Sequence, residues 1–239
     1  MTLELQQNQL LARLPAAEKQ ELARLMQPIL LRTKQELHPI GNPIRYLYFP
    51  LDAAISVMEM QTGGRLIEVA VVGKEGCSSP SFFNGLTISP AHTMVQIGGH
   101  ALRLTMTSPV ATLSGLPVFT RTVQRFSAVL FRQAVISVGC SQWHSVEQRL
   151  ARWLLAHHQR TGDIIFPFTH EFLAEQLGSQ RTTVTEALCS FQNDGLVRHG
   201  YGKVELVDLA RLKGLSCECL GLTAQAIQDY FRDIQTYGS

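Results

Sequence analysis

Proline restricts the backbone more than any other residue, because it lacks the N–H that helix interiors and central strands require. Of the ten prolines, Pro15, Pro28, Pro39, Pro43, Pro50, Pro80, Pro90, Pro109 and Pro117 fall in the first half, and only Pro167 follows. The first half is therefore expected to be short strands and turns, and the second half mostly helix. Runs rich in β-branched and aromatic residues at Tyr46–Phe49, Ile55–Met60, Leu66–Val72, His92–Ile97 and Ala101–Met106 alternate with turn signals such as Gly41-Asn42-Pro43, Gly63-Gly64, Asn84-Gly85 and Gly98-Gly99. That spacing belongs to a sandwich, roll or barrel. Residues 16–26 read as an amphipathic helix ahead of it, with Leu22, Leu25 and Met26 on one face.

Beyond Pro117, Phe119, Val123, Phe126, Leu130 and Ala134 follow the stripe spacing of a long helix, and Phe131, Val135 and Val138 form a second apolar face. A helix apolar on two faces needs two partners, here the β-region and the same helix of a second subunit. The dimer seam is assigned to Phe119, Val123, Phe126, Leu130 and Ala134; a wholly internal helix is the other reading. Composition sets the outer limits. With 45% hydrophobic residues, 17% charged residues and a formal net charge of +2 over 239 residues, disordered and fibrous classes are excluded and no strong field selects a partner. The longest uncharged stretch, Gly76–Leu102, is broken by Pro80 and Pro90 and cannot span a bilayer as a helix. The N-terminal MTLELQQNQ reads as no secretory leader, and five cysteines make no disulfide framework, so a cytoplasmic protein is expected.

The segment Thr169–Asn193 carries the functional signal. Thr169 is a good N-cap for a helix His170–Leu177, Gly178 can take the left-handed conformation that stops it, and Ser179 is expected to cap a second helix. Val184, Ala187, Leu188 and Phe191 would face inward, leaving Gln180, Arg181, Thr182, Thr185 and Glu186 outward. Ala174 followed by Gly178 and then Val184 is the spacing of a helix-turn-helix. Gly195–Arg198, the turn His199–Lys203 and Val204–Val207 then read as strand, tight turn and strand, the wing of a winged helix.

With these residues in view, nearly the whole chain resembles the Crp/Fnr family of bacterial transcription regulators. Ile44–Pro50, Gly63-Gly64-Arg65 and Glu68–Gly76 resemble its sensory β-roll, the run after Pro117 its dimerisation helix, Ser145–Leu155 the first helix of its DNA-binding domain, and Phe168–Leu209 its helix-turn-helix and wing. The resemblance implies an α+β chain. It would comprise an N-terminal antiparallel, jelly-roll-like β-roll over 1–116, a long dimerisation helix and hinge over 117–144, and a C-terminal winged helix-turn-helix over 145–239. It implies a non-enzymatic regulator that binds double-stranded DNA as a homodimer at a near-palindromic operator and meets RNA polymerase, with no membrane partner. The DNA-contacting set would be Thr169, Ser179, Gln180, Arg181, Thr182, Thr183, Thr185, Glu186 and Lys203.

Two departures from the family pattern matter. Where the best-known members open the recognition helix Ser-Arg-Glu-Thr-Val, this chain has Gln180-Arg181-Thr182-Thr183-Val184, and Glu186 stands where a second arginine would be. The operator should differ accordingly, since Arg, Glu and Thr read different base edges. The effector pocket would be Glu75, Gly76, Ser79, His92 and Thr93, with His92 at the position of the phosphate-binding arginine. A neutral histidine replaces a bidentate guanidinium poorly, so cyclic AMP and cyclic GMP are not expected as effectors and the effector is unknown. No cysteine precedes Cys77, which disfavours the family's N-terminal iron–sulfur sensor, and Cys217-x-Cys219 alone defines no metal site. His38, His92 and His100 are candidate haem ligands by residue type alone, and His157-His158 read as groups at a helix end that complement its dipole or meet solvent. The net charge of residues 166–200 is −2, with Arg181 and Arg198 against Glu171, Glu175, Glu186 and Asp194, so phosphate contacts are looked for at Arg149, Arg152, Lys203, Arg211 and Lys213. The rival readings are a winged helix that binds protein and a jelly-roll metal-dependent enzyme. The latter needs clustered ligands that the strand region does not supply.

Overall fold

The computed structural model describes residues 2–62, 66–106 and 115–237. The turn Gly63-Gly64-Arg65 and Pro109 lie outside the described residues. The chain divides into two compact units, one of Met1–Met58, Ala70–Gln133 and Gln225–Ser239, the other of Glu59–Val69 and Ala134–Ala224. This partition differs from a division at 116 and 144, because two long helices each contribute residues to both units.

The first unit opens with α1 (Thr2–Leu5), α2 (Gln9–Ala12) and α3 (Ala16–Leu25). Two sheets follow. One has the order β1 (Met26–Leu31), β7 (Gly99–Thr105), β3 (Tyr46–Pro50); the other has the order β2 (Glu36–His38), β6 (His92–Ile97), β4 (Ala54–Met60), β5 (Leu66–Val72). The pairs β1–β7, β3–β7, β2–β6 and β4–β6 are antiparallel, so the sandwich-or-roll reading holds. Sequence patterning missed β1 and β2, which carry Pro28 and a register shift between Glu36 and His38. Proline and bulges belong on such edge strands, where the ladder N–H is not needed.

Helix α4 (Pro117–Trp143) starts against this roll. Phe119, Val123 and Phe126 are fully buried in the core with Leu47, Phe49 and Phe83. Phe119 packs edge-on against Phe83, with centroids 5.4 Å apart. The buried Glu18 carboxylate accepts from Val118 N (3.0 Å) and Phe119 N (2.7 Å), so α3 supplies an anion to the first turn of α4. Gln133 clamps the backbone of Val71 from both sides, accepting at 3.0 Å and donating at 3.1 Å.

These contacts correct the assignment of the dimer seam. Phe119, Val123 and Phe126 are consumed by the chain's own roll, and Leu130 packs partly buried on the same core. Ala134 is half-buried. The large apolar residues that α4 leaves in solvent are Phe131 (73% exposed), Val135 (43%) and Val138 (65%), which form the second apolar face, and Trp143 (83%) at the helix end. The apolar period matches the helix, but a period alone does not say which of two stripes meets the roll.

In the second unit, α5 (Val146–Thr161) begins at a capping box in which Ser145 and Gln148 satisfy each other's backbone N–H. It packs with α6 (His170–Leu177), α7 (Arg181–Asn193), α8 (Leu209–Leu215) and a sheet of order β8 (Ile165–Phe166), β10 (Lys203–Leu206), β9 (Val197–Gly200). Trp153, Phe166, Phe168, Phe172, Leu188 and Phe191 lie in this second core. His157 is part of it and not a solvated group at a helix end: its ring lies 3.6 Å from that of Trp153, and burial lowers its pKa to about 3. Helix α9 (Cys219–Tyr237) closes the chain. No helix among the described residues is long and apolar enough to cross a membrane.

Candidate nucleic-acid interface

Helices α6 and α7 meet at a turn set by Gly178, which has φ +57° and ψ +43°. Its N–H and that of Ser179 return to the carbonyls of Glu175 (3.2 Å) and Ala174 (3.0 Å), closing the end of α6. A side chain here meets two obstacles. The left-handed backbone disfavours one by about 1–2 kcal/mol, and an added Cβ would stand 2.5 Å from Ile67 Cδ1. Gly178→Ala is therefore expected to destabilise this unit by at least about 1–2 kcal/mol. Urea unfolding followed by the fluorescence of buried Trp153 reads the change, and an unchanged midpoint would contradict the strained-turn account.

Thr169 caps α6 as expected, its hydroxyl accepting from Phe172 N at 3.1 Å. The expected cap of α7 is corrected by one residue. Gln180, not Ser179, is the N-cap, and its side chain makes no capping bond. The free first-turn N–H groups of α7 are accordingly available to an anion. Gln180, Arg181, Thr182 and Glu186 are exposed, while Ser179, Thr183 and Thr185 are half-buried.

Thr185 does not project freely. Its hydroxyl donates to Arg181 O at 2.9 Å, which leaves it to accept from His170 Nδ1, also at 2.9 Å. With Nδ1 protonated, the Nε2 of a neutral His170 must accept from His199 Nδ1 at 3.3 Å. Burial first, then the nearby His199 and Arg181, lower the pKa of His170 and favour this neutral form. The relay ties recognition helix, α6 and wing together. Sequence reading missed it, because nothing in the spacing of residues 170, 185 and 199 brings them side by side.

The wing turns at Tyr201 (φ +50°) and Gly202 (φ +72°), between the paired Gly200 and Lys203. Positive φ at both central residues is the hairpin geometry that matches strand twist. It places Tyr201 wholly in solvent. Thr169, Arg181 and Lys203 share one groove with His170, Glu171, His199 and Tyr201. Arg181 has a loose exposed partner there, Glu171 at 3.9 Å. Gln180, Ser179 and Thr183 border a second depression beside Glu171 and Glu175.

The supply of basic residues is narrower than the sequence implied. Arg149 is occupied inside the fold, donating to Leu177 O at 2.9 Å, and the Nε atoms of both Arg149 and Arg152 are buried. Arg211 donates to Asp194 O at 3.1 Å. Of Arg149, Arg152, Lys203, Arg211 and Lys213, it is Lys203 that lines the groove.

The expected effector residues are scattered. Glu75 turns back on its own loop, accepting from Gly73 N at 2.8 Å. Gly76 lies flat against the Phe126 ring and accepts from the Asn8 amide at 3.0 Å. Ser79 is buried at the start of a 3-10 turn. His92 and Thr93 are consecutive on β6, so their side chains leave opposite faces of the sheet. His92 faces Glu36 (3.5 Å), His38 faces Ser78 (3.3 Å) and His100 faces Asp52 (3.0 Å), so these histidines do not converge. Burial lowers the His38 pKa to about 4. The sequence also left Cys217 and Cys219 without partners. The fold corrects this by bringing Cys140 and His144 to them.

Comparison with known proteins agrees with this geometry. Residues 148–215 match the family model of the Crp-like helix-turn-helix domain. The transcriptional regulator SdrP of Thermus thermophilus is 41% identical over 59 residues, 25% of this chain and 29% of that protein. The cyclic AMP receptor protein of the same organism is 24% identical over 191 residues, 77% of this chain and 88% of its own length. A solved structure of a Crp/Fnr-family protein from Eubacterium rectale superposes with a TM-score of 0.66 at 19% identity, covering 86% of this chain and 96% of that one. FixK2 from Bradyrhizobium japonicum gives 0.64 at 17%, covering 80% and 98%. Fold and helix-turn-helix together define a DNA-binding transcription regulator of the Crp/Fnr type. The chain is thus similar to the Crp/Fnr family in its fold, and its residues 148–215 carry the Crp-like helix-turn-helix domain.

Proposed function

We propose that the chain is a cytoplasmic, non-enzymatic regulator that binds a near-palindromic operator as a homodimer and acts through contact with RNA polymerase. In this reading α7 enters the major groove, Arg181 and Thr182 meet base edges, Lys203 meets phosphate, and Phe131, Val135 and Val138 form the dimer seam. The observation that carries it is the groove shared by Arg181, Lys203 and Thr169, with an uncapped helix N-terminus beside it. The acidic balance of the segment argues that non-specific affinity is low, since few phosphates are neutralised.

A mobility-shift titration with the DNA upstream of the protein's own coding sequence, repeated at rising salt, tests this reading. Specific retardation is expected. Lys203→Ala should weaken binding about equally on all sequences and reduce the slope of log affinity against log salt by about one unit per site. Failure to shift any DNA at low salt, with the protein folded, would favour a winged helix used for protein contact.

A further inference from the structure

Four soft or borderline donors converge in the second unit. Cys140 is in the last turn of α4, and His144 follows directly after the helix, its N–H still bonded to Cys140 O at 3.2 Å, so the two lie one turn apart. Cys217 lies in the link between α8 and α9, and Cys219 is the first residue of α9. Their ligand atoms all lie within 4.8 Å of one another. Cys140 Sγ stands 3.6 Å from Cys217 Sγ, and Cys219 Sγ stands 3.7 Å from His144 Nδ1. Metal–sulfur bonds of about 2.3 Å at tetrahedral angles put neighbouring ligand atoms roughly 3.8 Å apart, so these separations fit one ion. The same 3.6 Å is far too long for a disulfide, and the cysteines are free thiols.

The surroundings are those of a metal site. The three cysteines are buried with Ile136 in a small apolar cluster of their own. The far nitrogen of His144, Nε2, lies 3.1 Å from Glu218 Oε2. A carboxylate there fixes the ring with Nδ1 bare and aimed at the thiols, the usual second partner of a metal-bound histidine. Arg152 lines the same depression as Cys140, and its buried Nε has no hydrogen-bond partner among the described residues. Three thiolates around a divalent ion leave one negative charge for it to balance.

We propose that Cys140, His144, Cys217 and Cys219 bind one zinc-type divalent ion in a closed tetrahedral site, with Glu218 orienting His144. Sulfur and imidazole donors in this number select zinc over hard cations. All four positions are filled by protein, so the ion has no open position for catalysis. It ties the end of α4 to the start of α9 in the second unit. Binding exchanges the three thiol protons for the metal, so it is pH-dependent and sensitive to oxidation.

Titration of the reduced, chelator-treated full chain with cobalt(II) under argon tests the site, independently of DNA binding. Saturation at one ion per chain is expected, with the strong visible bands of a tetrahedral ion, thiolate-to-cobalt charge transfer in the near ultraviolet, and displacement by zinc. His144→Ala and Cys219→Ser should abolish that spectrum. Glu218→Gln, on the exposed second partner, should keep it with about 10–100-fold weaker affinity, and Cys189→Ser, an exposed thiol elsewhere, should change nothing. The proposal is overturned by a weak octahedral spectrum or no binding in the wild-type chain. It is equally overturned by a Cys140–Cys217 disulfide in protein purified and kept under argon, or by an iron–sulfur chromophore that needs these cysteines.

Discussion

Arg181→Ala is expected to remove sequence-specific DNA binding while leaving the fold intact. Arg181 is the first residue of α7 and is exposed, so truncation opens no cavity. Among the described residues it pairs loosely with Glu171, and exposed pairs of that kind contribute little. A guanidinium at the first turn of a recognition helix can bond guanine O6 and N7 together, and each such contact discriminates by about 1–3 kcal/mol. A two-fold dimer uses it twice, for a loss of about 2–6 kcal/mol, roughly 30-fold to 20,000-fold in affinity. Competition binding should show the loss on the specific site and relaxed preference at one base pair per half-site, with little change on random DNA. Wild-type selectivity in the mutant would remove Arg181 from the interface.

Phe131→Glu is expected to convert the protein to monomers. Phe131 is 73% exposed in the protomer, so the substitution leaves the protomer core intact. A carboxylate pressed against its two-fold mate in an apolar seam lacks any partner and costs about 3–5 kcal/mol, a weakening of roughly 100-fold or more. Sedimentation at micromolar concentration should show the monomer, and operator affinity should fall with it. Leu130→Glu would be the wrong probe, because Leu130 packs on the core of the roll and the mutation would mix unfolding with dissociation. A dimer that survives Phe131→Glu would place the seam elsewhere.

The difference between those two variants shows how far the sequence could be read. Periodicity fixed the existence and length of α4, because the 3.6-residue repeat is local. It could not assign the stripes, since Phe119 and Phe131 differ only in what the roll presents to them. The helix-turn-helix was legible for the same local reasons: a capping threonine, a glycine that must be left-handed, and an apolar face. What lay beyond reach was every contact made across the chain. Glu18 capping α4, the His170–Thr185–His199 relay and the meeting of Cys140 with Cys217 depend on residues brought together only by the fold. β1 and β2 were missed because edge strands tolerate the proline and bulge that sequence patterning takes as breaks.

The central claim is that two copies of α7 read one DNA site together. Fluorescence anisotropy of the full chain on a sequence selected from random DNA, compared with its isolated half-site, tests this most directly. Recognition helices related by a two-fold axis meet successive major grooves about 34 Å apart. The full site should therefore bind far more tightly than the half-site, and an insertion of about five base pairs between half-sites, half a helical turn, should reduce binding to the half-site level. Equal affinity for half and full sites, or indifference to the insertion, would contradict the account.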